Sequence, residues 1–211
     1  MSALSRPAVI AIVDDDPAVL RSLARLLAVN GHRVRAYASS ESLLEAIESF
    51  EPDCIIADLS MPGLGGLELQ QRLDDIGIAS AMVFVTAHGD IRASVLAMRG
   101  GAVDFLTKPY AQEDLLDAVG RAISITRHSR VEAAQRAAAR RRATSLTERE
   151  REVFRLVAAG LLNKQIAANL GISEKTVKVH RARMMRKMAV RSVAQLARLA
   201  ERFGIDTERR S

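Results

Sequence analysis

The sequence predicts an α/β domain with a doubly wound, parallel five-stranded sheet, joined by a helical linker to an all-α domain. Short β-branched runs alternate with amphipathic helical stretches over residues 7–125, which is typical of a parallel sheet covered by helices. The last third of the chain has helical patterns and no strand signal. The charge also changes along the chain, because residues 1–125 carry 10 basic and 17 acidic side chains while the rest carries 21 and 8. We therefore predict domains over residues 1–125 and 144–211, with a linker over 126–143.

The five apolar runs are the predicted strands, and the stretches between them are the predicted helices. The strands are expected at Val9–Val13, Val34–Tyr37, Cys54–Ala57, Met82–Val85 and Val103–Leu106. The first helix begins after Asp16, which can cap it, and ends at Asn30-Gly31. The other helices are expected at Ser40–Ser49, Gly66–Asp74, Asp90–Met98 and Gln112–Thr126.

The linker RHSRVEAAQRAAARRRA, residues 127–143, has high helix propensity but no stripe of large apolar side chains. We interpret it as an exposed helix. A weak dimer helix is the alternative, although alanine and arginine would pack poorly at a coiled-coil seam.

The last domain is predicted to contain a helix-turn-helix. Thr147 and Glu150 form a capping box, a second helix begins near Asn163, and Gly171 marks a tight turn. Ser173 then caps a strongly basic third helix that runs to about Met188. This order of two short helices around a glycine turn is typical of DNA-binding modules. A fourth helix is expected at about Ser192–Phe203.

The composition restricts the protein's class. Of the 211 residues, 48% are hydrophobic and 27% are charged, which fits a folded protein with a core. The single cysteine, Cys54, excludes an intrachain disulfide, and we expect it to pack in a strand. No apolar run approaches the ~18 residues that a membrane helix needs, and the first residues lack a signal-peptide pattern. We expect a cytoplasmic protein with no membrane partner.

Polar side chains follow four of the predicted strands. They are Asp14, Asp15 and Asp16 after the first, Asp58 after the third, Thr86 after the fourth and Lys108 after the fifth. Ligands of doubly wound sheets bind at the carboxyl ends of the strands, so these groups should converge. Crowded carboxylates without nearby cysteine favour Mg²⁺. The set supports phosphoryl transfer to an aspartate, and there is no Gly-rich nucleotide loop.

Four motifs in this domain resemble those of response-regulator receiver domains. They are IVDDD at 12–16, ADLSMPGLGGLEL at 57–69, VFVTAHGD at 83–90 and AVDFLTKPY at 102–110. The resemblance implies that Asp58 is the phosphoacceptor and that Mg²⁺ is held by Asp15, by Asp14 partly through water, by Asp58 and by the Ser60 carbonyl. It further implies that Thr86 and Lys108 contact the phosphoryl group, that Phe105 is the switch aromatic, and that Lys108-Pro109 is a cis peptide.

The basic third helix is the predicted DNA-reading element. Lys175, Lys178, Val179, Ala182 and Arg186 share one face by their spacing, and such a face fits the major groove. Phosphate contacts are expected from nearby polar and basic side chains, namely Asn163, Lys164, Thr176, Arg181, Arg183 and Lys187. RNA is the alternative partner, but aromatic residues make up 3% of the chain, which disfavours base stacking.

Residues 146–188 are similar to the LuxR-type helix-turn-helix, and the whole chain resembles a NarL/FixJ-family response regulator, nearer the FixJ side. By position, Lys178, Val179 and Ala182 correspond to the family's base-contacting sites. The resemblance implies a two-component transcription regulator that takes phosphate from a sensor histidine kinase, dimerises and binds double-stranded promoter DNA. RNA polymerase is a further candidate partner.

Two other functions fit these residues less well. An Asp-dependent phosphohydrolase would need a substrate pocket and a cap domain, and no insertion is long enough to build one. A regulator that works without phosphorylation would not need the full set of Asp14, Asp15, Asp58, Thr86 and Lys108. We therefore expect a transcription regulator rather than an enzyme, with a receiver that promotes only its own phosphorylation and dephosphorylation.

Overall fold

The computed structural model describes residues 6–87 and 91–204 of the chain. The chain divides into two compact units, with the division at Arg130. Within the described ranges, no helix combines the length and the apolar character needed to cross a membrane.

The first unit contains the predicted five-stranded parallel sheet, with strand order β2-β1-β3-β4-β5. This confirms the doubly wound α/β prediction. Three strands differ from the expected bounds, at four ends in all and by a single residue at each end. The strands are β1 Val9–Val13, β2 Arg33–Tyr37, β3 Cys54–Ala57, β4 Met82–Thr86 and β5 Asp104–Thr107.

The helices of this unit follow the strands in alternation. Asp16 caps the first of them as expected, because its Oδ1 accepts a hydrogen bond from the Ala18 backbone N–H at 2.7 Å. The predicted second helix is shorter than expected and continues as a 3₁₀ turn at Ile47–Ser49. The expected start of the fourth helix at Asp90 lies outside the described residues. The helices are α1 Pro17–Val29, α2 Ser40–Ala46, α3 Gly66–Asp75, α4 Ile91–Arg99 and α5 Gln112–Thr144.

The sheet is buried on both faces because its strands contribute alternate side chains to two cores. On one face, Ile10 and Ile12 pack with residues of α1 and α5. On the other, Ala11 and Val13 pack with residues of α2, α3 and α4. Cys54 is fully buried in β3 as expected, and this burial raises the pKa of its thiol.

The last receiver helix was expected to end at Thr126, but it continues through the linker. One continuous helix, α5, runs from Gln112 to Thr144, because no Gly, Pro or capping residue interrupts the Ala- and Arg-rich segment. The middle of α5 forms ion pairs with the buried Asp53, which directly precedes β3. The distances to Asp53 are 3.2 Å from Arg130 and 3.4 Å from Arg127.

The second unit contains the four helices that were expected after the linker. Capping residues start three of them: the side chains of Thr147, Ser173 and Ser192 each accept a hydrogen bond from a backbone N–H of the first turn. Gly171 has φ 64° in the turn between the second and third, a conformation that glycine adopts without strain. The helices are α6 Glu148–Ala158, α7 Asn163–Leu170, α8 Glu174–Met188 and α9 Val193–Phe203.

These helices enclose a separate apolar core. It includes Phe154 of α6, Ile166 of α7, Val177 and Met184 of α8, and Leu196 of α9. The end of α5 also contributes, since Ala139 is buried and Ala143 packs against this core. The linker was expected to be an exposed helix, and most of it is exposed. Ala139 and Ala143 are the exception, because the small alanine side chain allows close packing at these positions.

Candidate functional site

The strand order brings the predicted acidic residues together. The chain passes from β1 to β2 on one side and then to β3 on the other side of β1, so β1 and β3 are neighbours with helices leaving on opposite faces. A crevice opens beyond the carboxyl ends of the strands at such a switch point. Asp14 and Asp15 follow β1 directly, and Asp58 follows β3.

Three carboxyl groups meet in this crevice. One oxygen each from Asp14, Asp15 and Asp58 lies within 4.8 Å of the others. Asp14 is 2% exposed and Asp58 is 8% exposed, whereas Asp15 faces solvent. Asp58 is shielded yet reachable from the crevice mouth, as an acceptor of a small group requires.

Lys108 supplies the positive charge of the cluster. Its Nζ lies 3.0 Å from Asp14 Oδ2 and 3.2 Å from Asp58 Oδ2. Burial alone would lower the pKa of Lys108, but the hydrogen bonds and charges of Asp14 and Asp58 outweigh it and the pKa is raised. The Lys108–Pro109 peptide is cis, as the resemblance implied.

The donor set of this cluster fits a hard divalent cation. Three carboxyl groups face one ammonium group, so a second positive charge would reduce their repulsion. All three offer oxygen ligands, which Mg²⁺ prefers. The acidic cluster is therefore able to bind a metal ion.

The other predicted members of the site lie on the same edge of the sheet. Thr86 is fully buried at the end of β4, and its carbonyl accepts a hydrogen bond from the Lys108 backbone N–H at 2.8 Å. The backbone N–H of Ser60 donates to Asp58 Oδ1 at 3.0 Å. Phe105 is half-buried on β5 and packs against the core beside α3 and α4.

Sequence reasoning missed the contacts that shape the loop after Asp58. Glu41 of α2 accepts a hydrogen bond from the Leu64 backbone N–H at 3.0 Å. The hydrogen bond from the Glu41 backbone, followed by that from Leu64, lowers the pKa of the exposed Glu41 carboxyl group. Gly66 lies so close to β3 that a Cβ there would be 2.4 Å from the Asp58 carbonyl oxygen. Residue spacing gives no signal for either contact.

The predicted DNA-reading face is exposed on α8. Lys175, Lys178, Val179, Ala182 and Arg183 all face solvent, and Val179 is 44% exposed although it is apolar. Lys164, near the start of α7, is exposed as well. A basic face with an apolar member matches the chemistry of base edges and thymine methyl groups in the major groove.

Four of the predicted contact residues already have partners within the unit. Arg181 donates to Asn163 Oδ1 at 2.7 Å, which links α8 to α7. Thr176 Oγ1 lies 2.8 Å from Ser173 Oγ and so belongs to the cap of α8. Lys187 Nζ donates to the buried Glu150 at 2.6 Å and to the Ser145 carbonyl at 3.0 Å.

Comparison with known proteins assigns both units. Residues 10–120 match the family model for the response regulator receiver domain, and residues 144–200 match that for bacterial regulatory proteins of the luxR family. The chain belongs to the NarL/FixJ family of response regulators.

Curated relatives and solved structures are similar to this chain over most of its length. Nodulation protein W of Bradyrhizobium diazoefficiens is 42% identical over 95% of this chain and 88% of its own length. Transcriptional regulatory protein FixJ of Rhizobium meliloti is 39% identical over 90% of this chain and 93% of its own length. The solved structure of the response regulator StyR has a TM-score of 0.82 and 39% identity, with 93% of this chain and 99% of that chain covered.

Family membership establishes the general role of this response regulator. It is a transcription regulator of a two-component system, with a receiver domain and a LuxR-type DNA-binding domain. A receiver of this kind has a kinase as its partner, and the second domain has DNA.

Proposed function

We propose that Asp58 accepts the phosphoryl group that controls this response regulator. A carboxylate oxygen of Asp58 attacks the phosphorus of a phosphohistidine on the partner kinase, the P–N bond breaks, and an acyl phosphate forms on Asp58. The observation that carries the proposal is the convergence of Asp14, Asp15 and Lys108 on this one shielded carboxyl group. Asp16, by contrast, is occupied as a helix cap.

The side chains around Asp58 have separate roles in phosphoryl transfer and in the conformational change that follows it. Lys108 moves from balancing Asp14 and Asp58 to pairing with the new phosphoryl oxygens. The Thr86 hydroxyl donates a hydrogen bond to the same oxygens. Phe105 turns inward as β4 and β5 repack. Asp14, Asp15, Asp58 and the Ser60 carbonyl are the residues that would hold Mg²⁺, which neutralises phosphoryl charge when it is bound.

Phosphorylation then acts through a shift between existing conformations. The phosphorylated receiver favours a homodimer, so that two LuxR-type domains reach two half-sites about one helical turn of DNA apart.

In each DNA-binding domain, Lys178, Val179 and Ala182 contact bases. Lys164, Lys175 and Arg183 contact phosphates. Thr176 belongs to the cap that starts α8, and the hydrogen bond from Arg181 to Asn163 holds α8 on α7. Lys187 acts chiefly within the domain through Glu150. RNA polymerase is a candidate partner once the dimer is on DNA, and such a protein works in the cytoplasm.

The test is phosphorylation by acetyl phosphate in the presence of Mg²⁺. We expect Asp58→Asn to abolish labelling, because an amide cannot form the acyl phosphate. Asp16→Asn is the matched control, since asparagine caps a helix as well as aspartate does, and it should label like the wild type. The proposal is contradicted if Asp58→Asn is still labelled, or if Asp16→Asn loses labelling while Asp58→Asn keeps it. If the wild-type protein binds DNA equally well with and without acetyl phosphate, phosphorylation does not control its DNA binding.

A further inference from the structure

The six arginines of α5 from Arg127 onward fall into two groups with different surroundings. Arg127 and Arg130, in the first unit, pair with the buried Asp53. The other four, in the second unit, are exposed. Within residues 6–87 and 91–204, their guanidinium groups make no ion pair or hydrogen bond, since the Thr144 and Ser145 hydroxyls donate only to the backbone carbonyls of Arg141 and Arg142. We call these four the arginine cluster; they are Arg136, Arg140, Arg141 and Arg142.

The arginine cluster belongs to the DNA-binding unit. Ala143 packs on the core of that unit and Ala139, one turn earlier, is buried. Glu132 pairs with Arg202 of α9 at 2.8 Å. The helix is therefore held on this domain, and its arginines project from the remaining sides. Arg140, Arg141 and Arg142 lie within one helical turn, and Arg136 lies about one turn earlier.

A short chain of hydrogen bonds joins the arginine cluster to the DNA-reading helix. The Ser145 backbone N–H donates to the carbonyls of Arg141 and Arg142 at 3.2 and 3.1 Å. The Ser145 carbonyl in turn accepts from Lys187 Nζ of α8 at 3.0 Å. The end of α5 thus lies beside the C-terminal half of α8, where Arg183 and Arg186 are also exposed.

We propose that the arginine cluster is a second DNA-contacting surface, which binds the phosphate backbone of duplex DNA beside the segment that α8 reads. Unpaired guanidinium groups with no acidic partner favour a polyanion, and they donate to phosphate in a bidentate way. Duplex DNA is the polyanion that the same unit already engages. The inference rests on the proposed DNA-binding face of α8 and adds to it a sequence-independent contact.

The proposal predicts a specific salt dependence. The logarithm of the association constant falls linearly with the logarithm of the salt concentration, with a slope of about 0.9 per neutralised phosphate. Removing Arg140, Arg141 and Arg142 should therefore reduce the slope by about 2 to 3. Binding should weaken by a similar factor on every duplex sequence, because phosphate contacts carry no sequence information.

The experiment compares four full-length proteins by fluorescence anisotropy on a labelled duplex of arbitrary sequence, from about 50 to 200 mM salt. They are the wild type, R140A/R141A/R142A, R140K/R141K/R142K, and the charge-matched control R21A/R25A/R72A on exposed positions of the first unit. Alanine preserves the helix, and the Ser145 hydrogen bonds go to backbone carbonyls that remain. Circular dichroism and sedimentation check folding and self-association.

The expected result is a reduced slope for the alanine variant, most of the slope regained by the lysine variant, and no change in the control. An unchanged slope for the alanine variant overturns the proposal, and so does an equal loss in the control. If only self-association changes, α5 is a dimer helix and the proposal is wrong. A wild type that binds no duplex DNA overturns the proposed DNA-binding face together with this inference.

Discussion

Lys187 Nζ donates to Glu150 Oε2 over 2.6 Å, which joins the C-terminal half of α8 to the first turn of α6. Glu150 is buried, and its other hydrogen bond, from the Thr147 backbone N–H at 2.9 Å, caps α6. The hydrogen bond from Lys187, followed by that from the Thr147 backbone, lowers the pKa of Glu150. One carboxylate therefore links the cap of α6 to α8.

Glu150→Gln should destabilise the DNA-binding domain by about 1–3 kcal/mol at neutral pH, because a charge-assisted hydrogen bond is lost. Since the folded-state pKa of Glu150 is lowered, its contribution is present above the ordinary glutamate range and is lost as the pH falls through the lowered pKa. The difference between variant and wild type should shrink accordingly in acid. Denaturant unfolding as a function of pH measures this.

The matched control is Glu152→Gln, whose side chain pairs with Arg149 on the surface at 2.8 Å. An exposed pair of this kind contributes about 0 to 1 kcal/mol. If Glu150→Gln is no more destabilising than Glu152→Gln, or if its effect grows in acid, Glu150 does not hold α8 in this way.

Gly66, which lies close to Asp58, can be compared with Gly120, which has open space around it. A Cβ at Gly66 would be 2.4 Å from the Asp58 carbonyl oxygen and 3.0 Å from Phe84 Cε1, whereas a Cβ at Gly120 meets no atom within 4 Å. Gly66→Ala should destabilise the receiver by about 1–3 kcal/mol and slow phosphorylation by acetyl phosphate. Gly120→Ala in α5 should stabilise it by roughly 0.5–1 kcal/mol. Equal effects of the two variants on unfolding would contradict the close approach.

Most of the fold could be predicted because the signals were local. The β-branched runs fixed the strands, and the capping residues Asp16, Thr147, Ser173 and Ser192 fixed four helix starts. The meeting of Asp14, Asp15 and Asp58 followed from a general property of doubly wound sheets. It needed no knowledge of side-chain contacts.

The parts that the sequence could not predict depend on contacts between distant residues. Glu41 touches the loop at Leu64, 23 positions away, and Asp53 pairs with Arg130, 77 positions away. The unbroken α5 was missed for another reason. A change in composition at residue 127 indicated a boundary, but helix propensity continued across it and no capping residue ended the helix.

Lys178 provides a test of base readout. Lys178 is exposed on α8 beside Val179, and a lysine there is placed to reach guanine edges. Lys178→Ala should lower discrimination between the operator and unrelated duplexes by about 1–3 kcal/mol, unlike the uniform loss expected for the arginine cluster. Competition binding with operator variants measures the ratio of affinities. A loss of the same size on all sequences would assign Lys178 to phosphate contact instead.

Reductive trapping identifies the residue that carries the phosphoryl group, and we expect that residue to be Asp58. Borohydride reduces an aspartyl phosphate to the alcohol of homoserine and releases phosphate, so the carrier residue is marked in a peptide digest. After treatment with acetyl phosphate and Mg²⁺, mass spectrometry of the reduced wild-type protein should find homoserine at position 58 alone. Homoserine at Asp14, Asp15 or Asp53, or a phosphorylated protein that borohydride leaves unchanged, would contradict the account.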